Sequence, residues 1–188
     1  MDKQLLFREF PFLESDEIIL KKVEPGDAES LNEILTNANL YKYRPGNPLK
    51  TFDAVKKVVG HYERDFNKHK TMFLGIFLKE ENNKLVGIAE IFEFDYQAER
   101  VEVGYTVNES YWGRGIATYA TKLMLDYLFN VIGVNSIQAS TLPINEKSKN
   151  VLKRCGFTYE GTLRQAKHWT GIGIVDLEMY SILKAEYN

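Results

Sequence analysis

The 188-residue sequence predicts an α+β (mixed α/β) fold: a twisted, mostly antiparallel sheet of about seven strands with helices on both faces. In the middle of the chain, strand-like runs follow one another with only short turns between them, which indicates antiparallel pairing. A strand–helix–strand unit around Tyr111 implies one parallel crossover. No repeat, linker or low-complexity tract interrupts residues 1–188, so we expect a single domain.

The N-terminal part of the chain predicts one strand followed by two amphipathic helices. Residues 18–23 (IILKKV) form the strand, and Pro25 and Gly26 end it. Asp27 is expected to cap the first helix, whose apolar positions are Ala28, Leu31, Ile34 and Leu35. Residues 43–49 are rich in Pro and Gly and predict a loop. Thr51 or Asp53 then caps a helix with apolar residues at helical spacing, namely Val55, Val58, Val59, Tyr62 and Phe66.

Strand patterns dominate the rest of the chain. Residues 72–78, 85–94 and 100–107 predict three strands, with a turn at residues 81–83. A helix is expected over residues 116–131, with an apolar stripe of Ala120, Leu123, Met124, Tyr127, Leu128 and Val131, and Gly133 as its stop. A strand over 136–142 follows, then a helix from its Asn145 cap to Arg154. Residues 159–168 and 175–183 predict the last two strands.

Composition limits the functional classes. A net charge of −2 gives no support for a nucleic-acid-binding or membrane-surface protein. The single cysteine, Cys155, cannot form an internal disulfide, so we expect a reducing, cytoplasmic location. No apolar run approaches a membrane span, and the first residues lack a signal-peptide pattern. His61 and His69 are widely spaced with no nearby cysteine, so no metal site is expected.

The segment Tyr111–Ala117 (YWGRGIA) is the most informative stretch, because it is typical of a phosphate-binding turn that opens a helix. Gly113 and Gly115 leave room for a phosphate to approach the backbone. The amides of the first helical turn then face the anion, and Arg114 can add a charge-assisted contact. An ordinary glycine-rich turn is the alternative.

Several motifs in the same order resemble the GNAT N-acetyltransferases. They are 102–105 (EVGY), 112–117 (WGRGIA), 145–148 (NEKS), 151–157 (VLKRCGF), 160–161 (EG) and Asp176 with 180–183 (YSIL). The later motifs are similar to the ribosomal-protein N-terminal acetyltransferase (RimJ/RimL-like) branch, and the resemblance covers residues 18–187. It implies the acyl-CoA N-acyltransferase fold and transfer of acetyl from acetyl-CoA to a primary amine by direct attack in a ternary complex.

The resemblance also implies where acetyl-CoA binds. The strand over 100–107 is expected to separate from that over 136–142, so that the pantetheine arm pairs with the opened backbone at Tyr105, Thr106 and Val107. The diphosphate is expected over Trp112, Gly113, Arg114, Gly115, Ile116 and Ala117. Asn145 and Ser148 are expected on the far side of the cofactor, although Asn145 is also a natural helix cap. Trp112 stands where the family usually has Gln or Arg, which favours a packed aromatic there.

Two carboxylates are candidates for the general base that deprotonates the amine. Glu102 shares a strand face with Gly104 and Thr106 and matches the family's Glu-x-Gly-Tyr, so it is the first choice. Glu90 is the second choice, on a face expected to carry Val86, Ile88, Phe92 and Phe94, where desolvation would raise its pKa. A salt-bridged sheet carboxylate is the alternative interpretation of each.

The proton donor and the acceptor pocket are less well defined by the sequence. Leu152 stands where many relatives have a tyrosine, which leaves Ser148 as the donor by position and Tyr159 as a second choice. Cys155 is interpreted as a packed residue rather than a nucleophile. His168, Trp169, the loop over 41–49 and the helix from Thr51 are candidates for the acceptor pocket.

The leading acceptor is a protein or peptide N-terminal α-amino group, by resemblance to the ribosomal-protein branch. Small amines such as polyamines or antibiotics are one alternative, and a non-catalytic acyl-CoA-binding module is another, since Leu152 replaces the usual tyrosine. The sequence leaves open whether the protein is a monomer or a homodimer.

Overall fold

The computed structural model describes residues 1–187 and contains an eight-stranded sheet with helices packed on both faces. The helices are α1 (Lys3–Leu6), α2 (Ala28–Leu35), α3 (Phe52–Asn67), α4 (Ile116–Asp126) and α5 (Glu146–Arg154). The strands are β1 (Leu13–Glu14), β2 (Ile18–Lys21), β3 (Thr71–Leu78), β4 (Lys84–Asp95), β5 (Arg100–Val107), β6 (Ser136–Thr141), β7 (Thr158–Trp169) and β8 (Gly173–Leu183). Their order in the sheet is β1-β2-β3-β4-β5-β6-β8-β7.

Every neighbouring pair in this sheet is antiparallel except β5 and β6, which are parallel and joined through α4. The predicted mixed, mostly antiparallel sheet with a single crossover is therefore confirmed. The sequence analysis missed β1, because a strand of two residues is too short to show an alternating pattern.

The two faces of the sheet carry separate apolar clusters. On one face α4 contributes Ala120 and Met124, which pack with Val101 and Val103 of β5. On the other face α2 and α3 supply a second cluster, which includes Ile34 and Val59 packed with Ile88 of β4. Because both faces are covered, the central strands are nearly continuous apolar runs.

Two of the predicted helix caps, Thr51 and Asn145, are confirmed, and the predicted cap Asp27 is wrong. The Thr51 side chain accepts a hydrogen bond from the Ala54 amide at the start of α3, and Asn145 does the same for the Ser148 amide in α5. Asp27 precedes α2, but its carboxylate accepts from the Glu24 amide instead (2.8 Å). That bond stabilises the turn before the helix rather than the helix itself.

The helix predicted over residues 116–131 changes character near its end. After α4 the chain continues as a π-helical segment over Tyr127–Ile132, and Gly133 ends it with a left-handed φ of +74°. A π turn holds more residues than an α turn, so the apolar stripe shifts around the axis. Val131, predicted in the stripe, is 52% exposed, whereas Ile132 is buried.

A register shift in β4 corrects the predicted surroundings of Glu90. Val86 packs in the cluster on the α4 side, whereas Leu85 and Ile88 pack in the α2–α3 cluster. A second irregularity lies between Phe92 and Asp95, and it turns Phe94 toward the α4 side. Each irregularity reverses the alternation of the strand. Glu90 therefore shares its face with Ile88 and Phe92, but not with Val86 or Phe94.

No helix within residues 1–187 is both long enough and apolar enough to cross a membrane.

Candidate active site

The site is built around a gap between the two parallel strands. β5 and β6 pair only over Arg100–Glu102 and Ser136–Gln138, and beyond these residues they separate. β5 continues to Val107 while paired on its other side with β4, so its gap-facing backbone has no strand partner. A cleft of about 1620 Å³ runs along this opening. The separation of the two strands predicted from the sequence is thus confirmed.

The hydrogen bonds of β5 decide which backbone groups face the gap. The Asn108 amide donates to the Val86 carbonyl of β4 (2.8 Å), and bonding direction alternates along an antiparallel strand. The backbone of Thr106 therefore bonds β4, while the amides and carbonyls of Tyr105 and Val107 face the gap. The Val107 carbonyl already accepts the indole Nε1–H of Trp112 (2.9 Å). Of the three predicted backbone partners, the geometry thus favours Tyr105 and Val107 over Thr106.

The turn before α4 presents a run of free amides to the same cleft. Gly113 and Gly115 have φ values of +80° and +79°, which glycine adopts without strain. Within residues 1–187, none of the five amides from Gly113 to Ala117 donates to a protein acceptor. They lie at the positive end of the α4 dipole, and such an arrangement fits a diphosphate.

The five amides of Gly113–Ala117 are called the cradle below, and the side chain of Arg114 points away from them. Its guanidinium pairs with Glu80 and with Glu81 (3.3 Å) in the turn between β3 and β4. The Tyr111 hydroxyl also donates to Glu81 (2.6 Å), and this hydrogen bond, followed by Arg114, lowers the pKa of the Glu81 carboxyl. In this arrangement Arg114 ties the loop to the sheet, so the predicted phosphate contact depends on the amides.

Trp112 is a packed aromatic, in agreement with that interpretation of the sequence. It contacts both apolar clusters, and its ring centroid lies 6.4 Å from that of Tyr43. Lys147 Nζ lies 4.3 Å from the centroid of the Trp112 ring and lines the cleft. Sequence reasoning missed this cation beside the cradle, because the contact joins two segments 35 positions apart.

Ser148 and Tyr105 form a hydroxyl pair in the cleft wall. Their oxygens are 2.9 Å apart, and burial raises the pKa of Tyr105 to about 12. Asn145 lies in the same wall, where it accepts from the Ser148 amide (3.2 Å). The predicted donor Ser148 is therefore hydrogen-bonded to a tyrosine of β5. Its own helix supplies no tyrosine at the position of Leu152, which is buried in the core.

The two candidate bases lie on neighbouring strands, and their surroundings differ. Glu102 accepts a hydrogen bond from the Ser140 hydroxyl (2.5 Å) across the narrow end of the gap. Glu90 has no hydrogen bond or ion pair within residues 1–187, and burial raises its pKa, partly offset by Arg44 and Lys167. Glu90 is paired with Gly104 of β5, so no side chain separates Glu90 from the gap at this position; a Cβ atom there would lie 3.5 Å from the Phe92 ring and 4.0 Å from the Cβ of Glu90.

A chamber continues from Glu90 along the cleft and contains Trp169 and part of the loop over 41–49, both predicted for the acceptor pocket, so this candidate pocket is called the acceptor chamber. Aromatic and aliphatic side chains form much of its wall, including Phe73, Phe92, Leu177 and Trp169. Trp169 is 4% exposed, and its indole donates to the Tyr41 carbonyl (3.4 Å), which closes the β7–β8 hairpin against the loop over 41–49. Arg44 and Lys167 add two cations to the chamber.

Three other predicted residues lie outside the cleft or take no part in it. His168 is exposed on β7, and Tyr159 is 50% exposed with its hydroxyl bonded to Thr162. Cys155 is buried, and burial raises the pKa of its thiol to about 11, which fits a packed residue. No residue of α3 lines the cleft, although that helix was a candidate wall.

Comparison with known proteins agrees with this geometry. Residues 17–158 match the family model described as "Acetyltransferase (GNAT) domain". The chain belongs to the GNAT acetyltransferase family. Its fold is the GNAT fold, and as a member of this family it is an enzyme that uses acetyl-CoA as the acetyl donor.

Relatives of this GNAT protein carry different acceptor names. Bacillus subtilis YdaF, named "Putative ribosomal N-acetyltransferase", is 25% identical over 92% of this chain and 94% of its own. Spermidine N(1)-acetyltransferase from Vibrio cholerae is 24% identical over 92% and 96%. The microcin C7 self-immunity acetyltransferase MccE, solved with acetyl-CoA and AMP, superposes with a TM-score of 0.79 at 25% identity, covering 90% of this chain and 93% of MccE.

Proposed function

We propose that this acetyltransferase modifies the α-amino group at the N-terminus of a peptide or protein. The observation that carries the choice is the pair of cations, Arg44 and Lys167, that line the cleft within electrostatic reach of Glu90. A polyamine carries several positive charges, and two further cations would repel it. A peptide N-terminus brings one positive charge and apolar or polar groups that suit the aromatic wall. The name of YdaF supports the same branch.

We further propose that Glu90 is the general base and that Glu102 organises the narrow end of the gap. A general base must be unprotonated near neutral pH often enough to accept the ammonium proton, and it must then hold that proton firmly. A pKa raised toward neutrality serves both needs. Burial raises the pKa of Glu90, and within residues 1–187 its carboxylate has no hydrogen-bond or ion-pair partner. Glu102 is already bonded to Ser140. This reverses the order of preference that the sequence alone suggests.

In the proposed reaction the amine attacks the thioester directly. Glu90 accepts a proton from the ammonium group, directly or through water, and the nitrogen lone pair attacks the acetyl carbonyl carbon. The new C–N bond forms as the C–S bond breaks, and the sulfur departs as a thiolate. Ser148 donates a hydrogen bond to that sulfur, and Tyr105 supports the serine hydroxyl. After the attack the nitrogen carries two protons; one leaves to solvent, and the other stays on the amide product.

The hydroxyl pair gives a testable prediction. Ser148→Ala and Tyr105→Phe should each lower kcat by about 10- to 100-fold, with smaller effects on acetyl-CoA affinity, because each removes part of the support of the leaving sulfur. The double variant should be little worse than the worse single one, since the two hydroxyls act as a unit. Initial rates of thiol release under saturating acetyl-CoA check both statements.

Tyr159→Phe is the matched control for this pair. It removes a tyrosine hydroxyl on an exposed strand whose hydrogen-bond partner in the described part of the chain is Thr162, so its kcat should equal that of the wild type. Full activity of Ser148→Ala would remove Ser148 from the mechanism.

The acceptor class is tested with a panel of peptides and polyamines. Purified protein, acetyl-CoA and each amine are incubated while free thiol is measured and the product mass is determined. The proposal predicts turnover of peptides with a free α-amino group and none of the same peptides blocked at the N-terminus. Efficient turnover of spermidine alone would replace it with a polyamine function. Tight acetyl-CoA binding without turnover of any amine would favour the non-catalytic module.

A further inference from the structure

The guanidinium of one arginine of the acceptor chamber, Arg44, has no hydrogen-bond or ion-pair partner among residues 1–187. Arg44 is half-buried and lines the cleft just after the short 3-10 turn over Leu40–Lys42. Within residues 1–187 its guanidinium makes no ion pair or hydrogen bond, and its buried Nη1 has no acceptor. By contrast, the guanidinium of Arg114 pairs with two carboxylates. A desolvated guanidinium without an acceptor is costly, so such groups are usually paired.

The groups around Arg44 position its charge without neutralising it. The guanidinium carbon lies 5.2 Å from the centroid of the Tyr41 ring, which holds the side chain by a cation–π contact. Arg44 lowers the pKa of Glu90 and so lies within electrostatic reach of that carboxylate, but the two form no ion pair within residues 1–187. Lys167, on β7, is a second cation that lowers the pKa of Glu90.

Around Glu90 the chamber therefore has a negative and a positive side, while the other carboxylates that line the cleft belong to Glu93, Asp95 and Glu102. Glu90 lies beside Gly104 of β5, where no side chain separates it from the gap. Lys167 and Arg44, whose guanidinium has no acceptor within residues 1–187, form the positive side. The planar fork of an arginine matches a carboxylate in bidentate geometry, which a lysine or an amide cannot reproduce.

We propose that Arg44 binds a carboxylate of the acceptor, and that the substrate is a primary amine with a carboxylate only a few bonds away. This inference rests on the proposed function and narrows it. The carboxylate can belong to an acidic side chain at the first or second position of a peptide, or to the main chain of a free amino acid. Both sources share an α-amino group beside an anion.

Matched substrates test the proposal. Each pair differs only by carboxylate against amide: peptides that begin Asp or Asn, peptides that begin Ser-Glu or Ser-Gln, and free amino acids against their amides. Wild-type kcat/KM should be about tenfold or more higher for the acid of at least one pair, as expected for a charge-assisted hydrogen bond. The pair that shows the preference identifies the source of the carboxylate.

Arg44→Gln should remove this preference. The ratio of kcat/KM for the acid to kcat/KM for its amide partner should fall to about one, while the affinity for acetyl-CoA stays at the wild-type value. This ratio is the readout, because Arg44 lowers the pKa of the base Glu90 and its loss changes the rate on both substrates alike. Arg44→Lys keeps the charge but loses the fork, so it should restore only part of the preference. Arg164→Gln is the control, since Arg164 is exposed on β7 and does not line the cleft. Thermal unfolding of each variant identifies any loss of folding.

Two results separate this inference from the proposed function. Equal wild-type rates for acid and amide peptides would overturn the carboxylate subsite and leave peptide acetylation standing. Turnover of spermidine but of no peptide would overturn both. If Arg44→Gln fails to fold, the wild-type comparison of acid with amide still decides the matter.

Discussion

Replacement of Glu90 by Gln is expected to lower kcat by about 10²- to 10⁴-fold, the range typical for loss of a general base. Gln preserves the shape of the side chain but cannot accept the ammonium proton. Acetyl-CoA affinity should change little, because the cradle over Gly113–Ala117 lies elsewhere in the cleft. Steady-state rates with a reactive peptide, and calorimetric titration with acetyl-CoA, measure the two quantities.

The same variant should become more stable at neutral pH. Burial raises the pKa of Glu90 in the folded state, so the folded protein holds this proton more tightly than the unfolded chain does. The stability contributed by this group is therefore present at low pH and is lost as pH rises through the raised pKa. Glu90→Gln removes that loss, so its melting temperature should exceed that of the wild type at pH 7, and the difference should shrink in acid.

Two companion variants sharpen the result. Glu102→Gln should reduce activity less than Glu90→Gln, because Glu102 is bonded to Ser140 rather than free. Glu29→Gln, in an exposed position of α2, should leave the rate unchanged. A larger loss of kcat in Glu102→Gln than in Glu90→Gln would transfer the role of base to Glu102.

Gly115→Val should weaken acetyl-CoA binding by about tenfold or more, because it distorts the start of α4. Gly115 is the N-cap residue, with φ at +79°, a conformation that a β-branched residue adopts only with strain. Relief of that strain would rotate the free amides away from the diphosphate. Titration calorimetry with acetyl-CoA gives the change in affinity directly.

Gly133→Val is the matched control for the loop. Gly133 has nearly the same φ, +74°, beyond the other end of the same helical segment, and a Cβ atom added there would meet nothing within 4 Å. Both variants should lose stability, but only Gly115→Val should lose affinity. Equal loss of affinity in the two variants would show that general destabilisation, and not the cradle, is responsible.

Much of the fold follows from local sequence signals. The strand Arg100–Val107 has the predicted bounds, and α5 ends at Arg154 as expected, because alternation, caps and glycines act over a few residues. The exposure of Val131 was not predictable, since the π-helical segment leaves no local signature. The register shift that separates Val86 from the face of Glu90 depends on how β4 pairs with β3, which no pattern within β4 reveals.

The candidate site divides in the same way. The cradle over Gly113–Ala117 could be predicted because one continuous segment forms it. The hydrogen bond between Tyr105 and Ser148 joins residues 43 positions apart, and no sequence motif predicts it. The acceptor chamber brings together Arg44, Glu90 and Trp169 from three distant segments, so its charge pattern emerges only in three dimensions.

A crystal structure with bound acetyl-CoA tests the central claim most directly. We expect the diphosphate oxygens within hydrogen-bond distance of the amides of Gly113–Ala117, the pantetheine paired with the backbone of Tyr105 and Val107, and the acetyl group beside the opening at Gly104. A cofactor bound outside the gap between β5 and β6, or a gap closed by side chains in that complex, would contradict the account.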